Sequence, residues 1–288
     1  MAHTLQERYS QLVDAKLRAL LVKKDGVIFN NRFEGSPKAG AVKVPVRNTE
    51  VTVNDYDKQN GSNATHGDTT YLTVTIDKDK SVNEIIDNYD AEAVPDNLVT
   101  DRLDSAAYSL ALQIEKDATA ELEKEATVYS DTTALMKDTI YESVVGVRTT
   151  MSKANVPTDR RFLLVTPDVY ALLLTSPEFV KASNLGDAVV QTGAVGRIAG
   201  FTVYEDSTLT EASTEFIAGH PDWCTRVTEW QVPVHLQDIN GSGKYIGASA
   251  VQGRRIYAHK VTNKKALYIK KSVMEPEAKT VRAKKKVM

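Results

Sequence analysis

The residues of this chain that most often carry out chemistry are few and widely spaced. His220 and Cys224 lie four residues apart in the stretch GHPDWC, a spacing that could hold a metal ion on one face of a helix. Pro221 interrupts such a helix, and no second His/Cys pair supplies the four ligands that structural zinc sites use. The stretch therefore predicts a turn between two strands, with Trp223 and Trp230 packed in the core and no metal or cofactor.

Two glycine-containing stretches match catalytic or nucleotide-binding loops only in part. Residues 193–200 read GAVGRIAG, which fits neither GxGxxG nor GxxxxGK[ST] and precedes a strand rather than a helix N-terminus. We interpret its glycines as turn formers. Ser249 lies in GASA, which lacks the glycine that a nucleophile elbow has two residues after its serine. No Ser/His/Asp set follows from spacing either, so we predict that the protein is not an enzyme; the scattered histidines are His3, His66, His220, His235 and His259.

The formal net charge is −2, so the protein as a whole is not a polycation. Paired carboxylates such as Glu121 and Glu125 fall on one face of a predicted helix, which favours a solvated surface. A basic cluster lies near the end of the chain. It either neutralises the phosphates of a nucleic acid or forms a solvated tail, and its members are Arg282, Lys284, Lys285 and Lys286.

Composition is that of an ordinary globular protein, with 42% hydrophobic and 26% charged residues among 288. The single cysteine excludes an intramolecular disulfide, which suits a reducing cytosol. The N-terminus does not read as a signal peptide, and no apolar run approaches the roughly 20 residues that a membrane helix needs. We expect synthesis in the cytosol and no membrane partner.

The first part of the chain predicts a helix followed by a long hairpin. Thr4 and Glu7 form a capping box, and Gly26 marks the end of the helical pattern. Residues 42–46 and 72–76 alternate apolar with polar side chains around a polar tip. Helix and hairpin each lack a partner surface in their own segment, so both are expected to dock on the body or on a neighbour. The helix has one apolar face, formed by Leu5, Tyr9, Leu12, Leu17, Leu20 and Leu21.

Two helices are predicted in the middle of the chain. The first runs from about Pro95 to Ala126 and would be roughly 45 Å long at 1.5 Å per residue. Its apolar stripe leaves charged residues such as Glu115 and Glu123 largely outside. The second covers about residues 135–153, where NVP ends it.

A buried strand at residues 162–165 begins the last part of the chain, and Thr166 and Pro167 end it. A helical run with apolar residues at 169–174, a glycine-spaced turn and the strand FTVY follow. Residues 253–272 supply two more strands, and the tail from Glu275 has no core-forming content.

This order of elements, together with six stretches of sequence, resembles the tailed-bacteriophage major capsid protein family, which has the Hong Kong 97-type fold. NNRFEGSPKAGAVKVP lies at the entry to the hairpin, and AAYSLALQIEKD lies on the long helix. NVPTDRRFLLVTPDVYALLL and GRIAGFTVYEDSTL flank the glycine turn, and STEFIAGHPDWCTRVTEWQVPVHLQ and RRIYAHKVTNKKALYIKK contain the late strands. None of them is a catalytic fingerprint, and their shared order carries the resemblance.

The resemblance implies an α+β fold with six divisions. They are an N-terminal arm with an amphipathic helix (1–36), an E-loop hairpin (37–76), a P-domain with a long spine helix (77–131), an A-domain (132–225), closing strands of the P-domain (226–275) and a basic C-terminal tail (276–288).

The function implied by the resemblance is self-assembly. Hexamers and pentamers would form an icosahedral head shell around double-stranded DNA in the virion, after assembly in the host cytoplasm. Further implied partners are a scaffolding protein, a portal and a decoration protein. The E-loop would reach over the P-domain of an adjacent subunit, and the arm would cross to a neighbour. The tail residues 282–286 either face the DNA or form a solvated tail, as above. The expected contact residues between subunits are Leu5, Leu12, Leu17, Leu20, Lys58, His66 and Tyr71.

Two alternatives stay open at this point. An encapsulin-type compartment would use the same fold to enclose an enzyme, and an enzyme with an unrecognised site would behave as a small oligomer with a closed pocket. Covalent crosslinking is not predicted, because nothing marks an asparagine and a glutamate as partners of Lys58.

Overall fold

The computed structural model describes residues 16, 18–33, 40–46, 50–51, 53–62, 66, 69–93, 97–176, 196–209 and 213–272. These ranges form an α+β fold, as predicted. The helices are α1 (Asn88–Ala93), α2 (Leu98–Glu125), α3 (Ile140–Lys153) and α4 (Pro167–Thr175). The strands are β1 (Ala41–Val46), β2 (Thr70–Thr75), β3 (Lys78–Asp87), β4 (Thr127–Val128), β5 (Phe162–Val165), β6 (Arg197–Ile198), β7 (Phe201–Glu205), β8 (Thr214–Gly219), β9 (Cys224–Asp238), β10 (Ala248–Val261) and β11 (Leu267–Lys271).

A six-stranded sheet holds the largest core, in the order β4-β11-β8-β5-β7-β6. All four residues of β5 are buried. Leu163 and Val165 face a cluster that contains α3 and α4, whereas Phe162 and Leu164 face a cluster that contains the end of α2. Burial on both faces explains why this strand is an unbroken apolar run.

The junctions around β5 follow their local sequence. The Thr166 hydroxyl accepts a hydrogen bond from the Val169 amide and caps α4, whose first residue is Pro167. Ala199 and Gly200 have φ angles of 46° and 87° and form the two-residue turn between β6 and β7. The interpretation of these glycines as turn formers is confirmed for the described residues, and Gly193 lies outside them.

A three-stranded antiparallel sheet, β3-β10-β9, packs against the first half of α2 through Ile86, Ala106 and Val251. The second half of α2 packs under the six-stranded sheet through Ala118 and Leu122. With 28 residues at 1.5 Å each, the helix spans about 42 Å and connects the two sheets. The predicted long helix is confirmed.

The edge strand β9 is irregular. Its pairing with β10 shifts register twice, once beside Pro233 and once at Glu229. Glu229 is an extra residue between Thr228, which pairs with Tyr257, and Trp230, which pairs with Ile256. Such bulges bend an edge strand and re-aim its side chains.

Two predictions about the middle of the chain need correction. The helix predicted from Leu135 begins at Ile140, because the Thr139 hydroxyl holds the preceding residues in a turn by accepting from the Met136 amide and donating to the carbonyl of residue 134. Asp131, earlier in the same loop, accepts hydrogen bonds from the Ser143 hydroxyl and the Lys270 ammonium group. Burial of Asp131 opposes ionisation, but these bonds and those from Thr133 lower its pKa. Glu115 and Glu123, predicted to lie off the apolar stripe of α2, are both buried.

Gly219 offers a test of the packing at the centre of the six-stranded sheet. A Cβ atom at this position would lie 2.5 Å from Phe162 Cζ and 2.7 Å from Leu267 Cδ1. We expect Gly219→Ala to lower the free energy of unfolding by about 1–3 kcal/mol through overpacking, as measured by urea denaturation. Gly241→Ala is the matched control, since a Cβ there meets no atom within 4 Å. Equal stability of the two variants would contradict tight packing here.

Candidate assembly interface

The hairpin β1–β2 rests on the body of the protein at its base. Val44 pairs with Leu72 and Val42 with Val74. Val44 and Val74 are buried against Val227 of β9 and Ala258 of β10. A two-stranded hairpin is marginal alone in water, so this contact anchors it.

Beyond this base, the described part of the hairpin tip is a preformed turn. The backbones of Asp57 and Gly61 exchange two hydrogen bonds, of 3.2 and 2.8 Å. The Asp57 carboxylate accepts hydrogen bonds from the amides of Gln59 at 2.6 Å and Asn60 at 3.0 Å, and these lower the pKa of Asp57. Gly61 has a φ of 75°, which glycine adopts without steric cost. The turn is therefore organised by its own residues.

Large apolar side chains of the hairpin are exposed. Val51 and Val53 are 88% and 94% exposed, and Tyr56 and Tyr71 are also largely in solvent. Large apolar side chains that are exposed together in one segment favour a contact with another molecule. Lys58 and His66, which were predicted contact residues with Tyr71, are exposed as well, and their contacts stay a prediction.

The segment before β1 lies along α2 as an extended chain. Lys16 pairs with Asp101 at 2.6 Å, Arg18 pairs with Asp104, and the Tyr108 hydroxyl donates to the carbonyl of residue 19 at 3.2 Å. Lys23 then meets Glu115. From residue 16 to 23, extended chain covers about 23 Å at 3.3 Å per residue. From residue 101 to 115, the helix covers about 21 Å at 1.5 Å per residue. The two therefore run side by side in the same direction.

The helix predicted to run through Leu21 is wrong for residues 18–24, which contain no helix. Two backbone groups that a helix would pair internally bind side chains of α2 instead, namely the carbonyl of residue 19 and the amide of Lys23. Val22 is buried, whereas Leu20 points outward and is 69% exposed. Leu5, Leu12 and Leu17 lie outside the described residues, as do the basic tail residues 282–286.

Lys23 joins the extended segment to three other elements. Its amide donates to Glu115 Oε1 of α2 at 2.9 Å, and its carbonyl accepts from Arg226 of β9 at 2.8 Å. Its ammonium group donates to Asp206 and to the Thr208 hydroxyl at 2.8 Å, just after β7. Lys23 and Asp206 are completely buried. Burial raises the pKa of Glu115, and the charge of Lys23 opposes this shift.

Carboxylates at the end of α2 are also paired, which corrects the prediction of a solvated face. Glu125 accepts from Lys264 at 2.9 Å and from Lys260 at 3.0 Å, which lowers its pKa. Glu121 accepts from Lys260 at 3.3 Å. Sequence spacing could not show this, because Lys260 and Lys264 come from the distant strand β10 and the turn after it.

His220 and Cys224 flank a turn between two strands, as predicted, with a short 3-10 helix at Pro221–Trp223 between them and Cys224 as the first residue of β9. Both side chains are completely buried, and burial raises the pKa of the Cys224 thiol to about 12. Within the described ranges, no group of three or more His, Cys, Asp or Glu residues is arranged to hold a metal ion.

Trp223 is half-buried against the core, but Trp230 is 42% exposed, so its predicted core position is wrong.

Residues 81–269 match the family model described as phage capsid protein. Because the match covers more than half of the sequence, the chain belongs to the phage capsid protein family. No match was found among curated proteins.

Solved structures show the same fold. A chain from Mycobacterium phage Che8 is 21% identical, with a TM-score of 0.78 over 92% of this chain and 96% of that one. A chain of the capsid of the cyanophage P-SCSP1u is 12% identical, with a TM-score of 0.76 over 93% of each chain. A chain of the native GTA particle capsid is 10% identical, with a TM-score of 0.67 over 93% of this chain and 95% of that one. The predicted Hong Kong 97-type fold is confirmed.

Lys23→Met tests the buried ion cluster. It leaves the carboxylate of Asp206 buried without its ammonium partner, so we expect a loss of about 3–5 kcal/mol in the free energy of unfolding. Lys16→Met removes a surface pair and should cost less than about 1 kcal/mol. Urea denaturation measures both, and similar losses would contradict the role of Lys23.

The buried environment of His259 predicts that the free energy of unfolding depends on pH. Its Nε2 accepts from Arg226 Nε at 2.9 Å; burial and the charges of Arg226, Arg255, Lys78 and Lys23 lower the pKa of His259 to about 3. The unfolded chain therefore binds one more proton below its ordinary pKa of about 6.5, and stability falls as pH drops from there toward 3.

We expect His259→Gln, which keeps an acceptor for Arg226, to remove this dependence. Between about pH 7 and about pH 5 the variant should lose about 2 kcal/mol less than the unaltered chain. Denaturant unfolding at the two pH values gives the difference. Equal losses would show that His259 is protonated in the folded state.

Proposed function

We propose that this chain is the major capsid protein of a tailed phage, whose copies assemble into an icosahedral head shell around double-stranded DNA. The observation that carries the proposal is the family match over residues 81–269. The fold similarity extends over more than nine-tenths of the chain and supports a shell subunit. Membership of a structural family also supports a non-enzymatic role and a place in the virion.

The exposed apolar side chains of the hairpin support a contact between the hairpin and an adjacent subunit. Val51, Val53 and Tyr56 present apolar surface that the same subunit leaves uncovered. In our proposal this hairpin is the E-loop, within 37–76, and it lies over the P-domain of an adjacent subunit. The P-domain would hold α2 and the sheet β3-β10-β9. The A-domain, 132–225, would lie around the symmetry axes of pentamers and hexamers.

Many contacts of modest size would hold the shell together. Stable interfaces typically combine an apolar centre with a polar rim, and each adds to the stability of its neighbours. Because assembly depends on subunit concentration by mass action, shells should form over a narrow range of concentrations. A scaffolding protein, a portal and a decoration protein are the further proposed partners, and the host cytoplasm is the proposed place of assembly. In the described ranges, no helix is long and apolar enough to span a membrane.

Mass photometry with negative-stain microscopy tests the proposal directly. The purified full chain is examined over a series of concentrations, alone and with a scaffolding protein encoded beside it. Closed shells, rings or sheets are expected in at least one series. A chain that stays a monomer or small oligomer in both would overturn the proposal. Nucleic acid in shells purified from infected cells would support phage heads, and an enclosed enzyme would instead favour the encapsulin-type alternative.

Leu20→Asp tests the outward face of the segment that lies on α2. Because Leu20 is largely exposed, the change should alter the free energy of unfolding by less than about 0.5 kcal/mol. A charge in a buried subunit contact is costly, so we expect shell formation to be lost. Leu20→Met, which keeps the apolar surface, is the control and should assemble. Normal shells from Leu20→Asp would remove Leu20 from the interface.

A further inference from the structure

The buried contact between Lys23 and Asp206 brings together two groups that can react with each other. Both side chains are completely buried, and the Lys23 Nζ atom contacts Asp206 Oδ2. A second carboxyl group lies on the same nitrogen, since Glu115 Oε2 is 3.5 Å from Nζ and the Glu115 side chain is only 6% exposed. An amine beside a carboxyl group is a nucleophile beside an acyl acceptor, and a further carboxyl group can move protons between them.

The Asp206 carboxyl group is held in a way that favours attack at its carbon. Its Oδ1 atom accepts hydrogen bonds from the Thr208 amide at 2.8 Å and from the Thr208 hydroxyl at 2.7 Å. When an amine adds to Cγ, negative charge develops on one of the two oxygens, and donors fixed around that oxygen stabilise it. Oδ1 is therefore the oxygen that stays, and Oδ2, which contacts Lys23, is the oxygen that leaves.

Glu115 is placed to carry protons between the two groups. Its Oε1 atom accepts from the Lys23 amide at 2.9 Å, which fixes the carboxyl group beside the Lys23 side chain. Burial raises the pKa of Glu115, although the charge of Lys23 opposes this shift. A carboxyl group whose pKa is raised holds a proton more readily, so Glu115 can accept one from the ammonium group and pass it on.

We propose that Lys23 and Asp206 condense to an isopeptide bond inside the folded subunit. The bond forms between Lys23 Nζ and Asp206 Cγ, and the bond between Cγ and Oδ2 breaks. Two protons pass one after the other from Nζ to Oδ2 by way of Glu115, and Oδ2 leaves as water. An ammonium group and a carboxylate thus become one neutral amide and one water, and the ion cluster described above is the state before the reaction.

The fold supplies what this reaction lacks in free solution. Groups that are fixed in reactive contact reach effective concentrations of up to about 10⁵–10⁸ M, which favours a condensation that dilute amines and carboxylates do not undergo. The product also removes two charges whose burial is costly. The bond would tie the segment before β1 to the residues after β7 and close a covalent ring that contains the hairpin, α2 and β5. It forms within one subunit, so it does not depend on the proposed assembly.

Mass spectrometry of the purified full chain tests the bond. We expect the denatured chain to be lighter than its sequence by about 18 Da, the mass of one water. Because trypsin does not cleave after an acylated lysine, residues 19–24 should appear joined to residues 198–226. A mass equal to that of the sequence would overturn the proposal. Loss of water within a single peptide would also overturn it, because that result indicates a cyclic imide.

Glu115→Gln tests the proton carrier, because glutamine keeps an acceptor for the Lys23 amide but does not take up a proton. We expect the bond to form at least tenfold more slowly after cell-free synthesis, since a positioned acid–base group contributes about 10²–10⁴-fold. The control is Glu123→Gln, which changes another buried carboxyl group about 12 Å further along α2 and should react like the unaltered chain. Equal rates in the two variants would overturn the role of Glu115. The mass of the unaltered chain decides the bond itself, whether or not either variant folds.

Discussion

Burying an ammonium group costs several kcal/mol unless carboxylates and other acceptors surround it, and Lys23 is buried completely. Its side chain, amide and carbonyl bind groups from α2, from β9 and from the residues after β7. Elements far apart in sequence must therefore be in place together before this charge is tolerated. The interaction fixes the direction of the extended segment along α2 and, through Arg226, the position of β9. The contacts of Lys23 therefore determine the relative positions of elements that carry much of the surface that would contact other subunits.

The long helix α2 extends that arrangement across the molecule. Its first half lies on the three-stranded sheet and its second half under the six-stranded sheet, so both sheets share one rigid support. The hairpin base packs on β9 and β10, which belong to the same support. A shell subunit must hold its contact surfaces at fixed relative angles, because small errors would accumulate over many copies. A single helix of about 42 Å provides this at little cost in chain length.

Local patterns in the sequence predict most of this fold. The apolar run of β5, its end at Thr166, the alternating strands of the hairpin and the length of α2 all appear where expected, since each depends on near neighbours in the chain. The features that the sequence did not predict depend on contacts between residues far apart in the chain. The leucine spacing before Gly26 fits a helix equally well, and only the contacts between residues 16–23 and α2 favour an extended chain. The family resemblance, rather than any pattern of catalytic residues, indicated what the protein does.

The surroundings of Trp230 and Glu115 were the least predictable part of the structure. Alternation along β9 would place Trp230 in the core, but the extra residue Glu229 shifts the alternation and turns the ring toward solvent. The buried position of Glu115 likewise follows from Lys23, which lies 92 residues away in the sequence. Neither the bulge nor the long-range ion pair leaves a mark in residue spacing.

The irregular edge of β9 has a consequence for how other strands can pair with this chain. A long, straight edge strand exposes a row of unpaired backbone groups that any other strand can join, and newly made subunits at high concentration would aggregate through it. Pro233 cannot donate to such a ladder, and the two register shifts twist the edge away from a flat partner. Pairing of another strand along β9 is thereby disfavoured. A contact between copies at this edge would therefore rest on side chains rather than on backbone pairing.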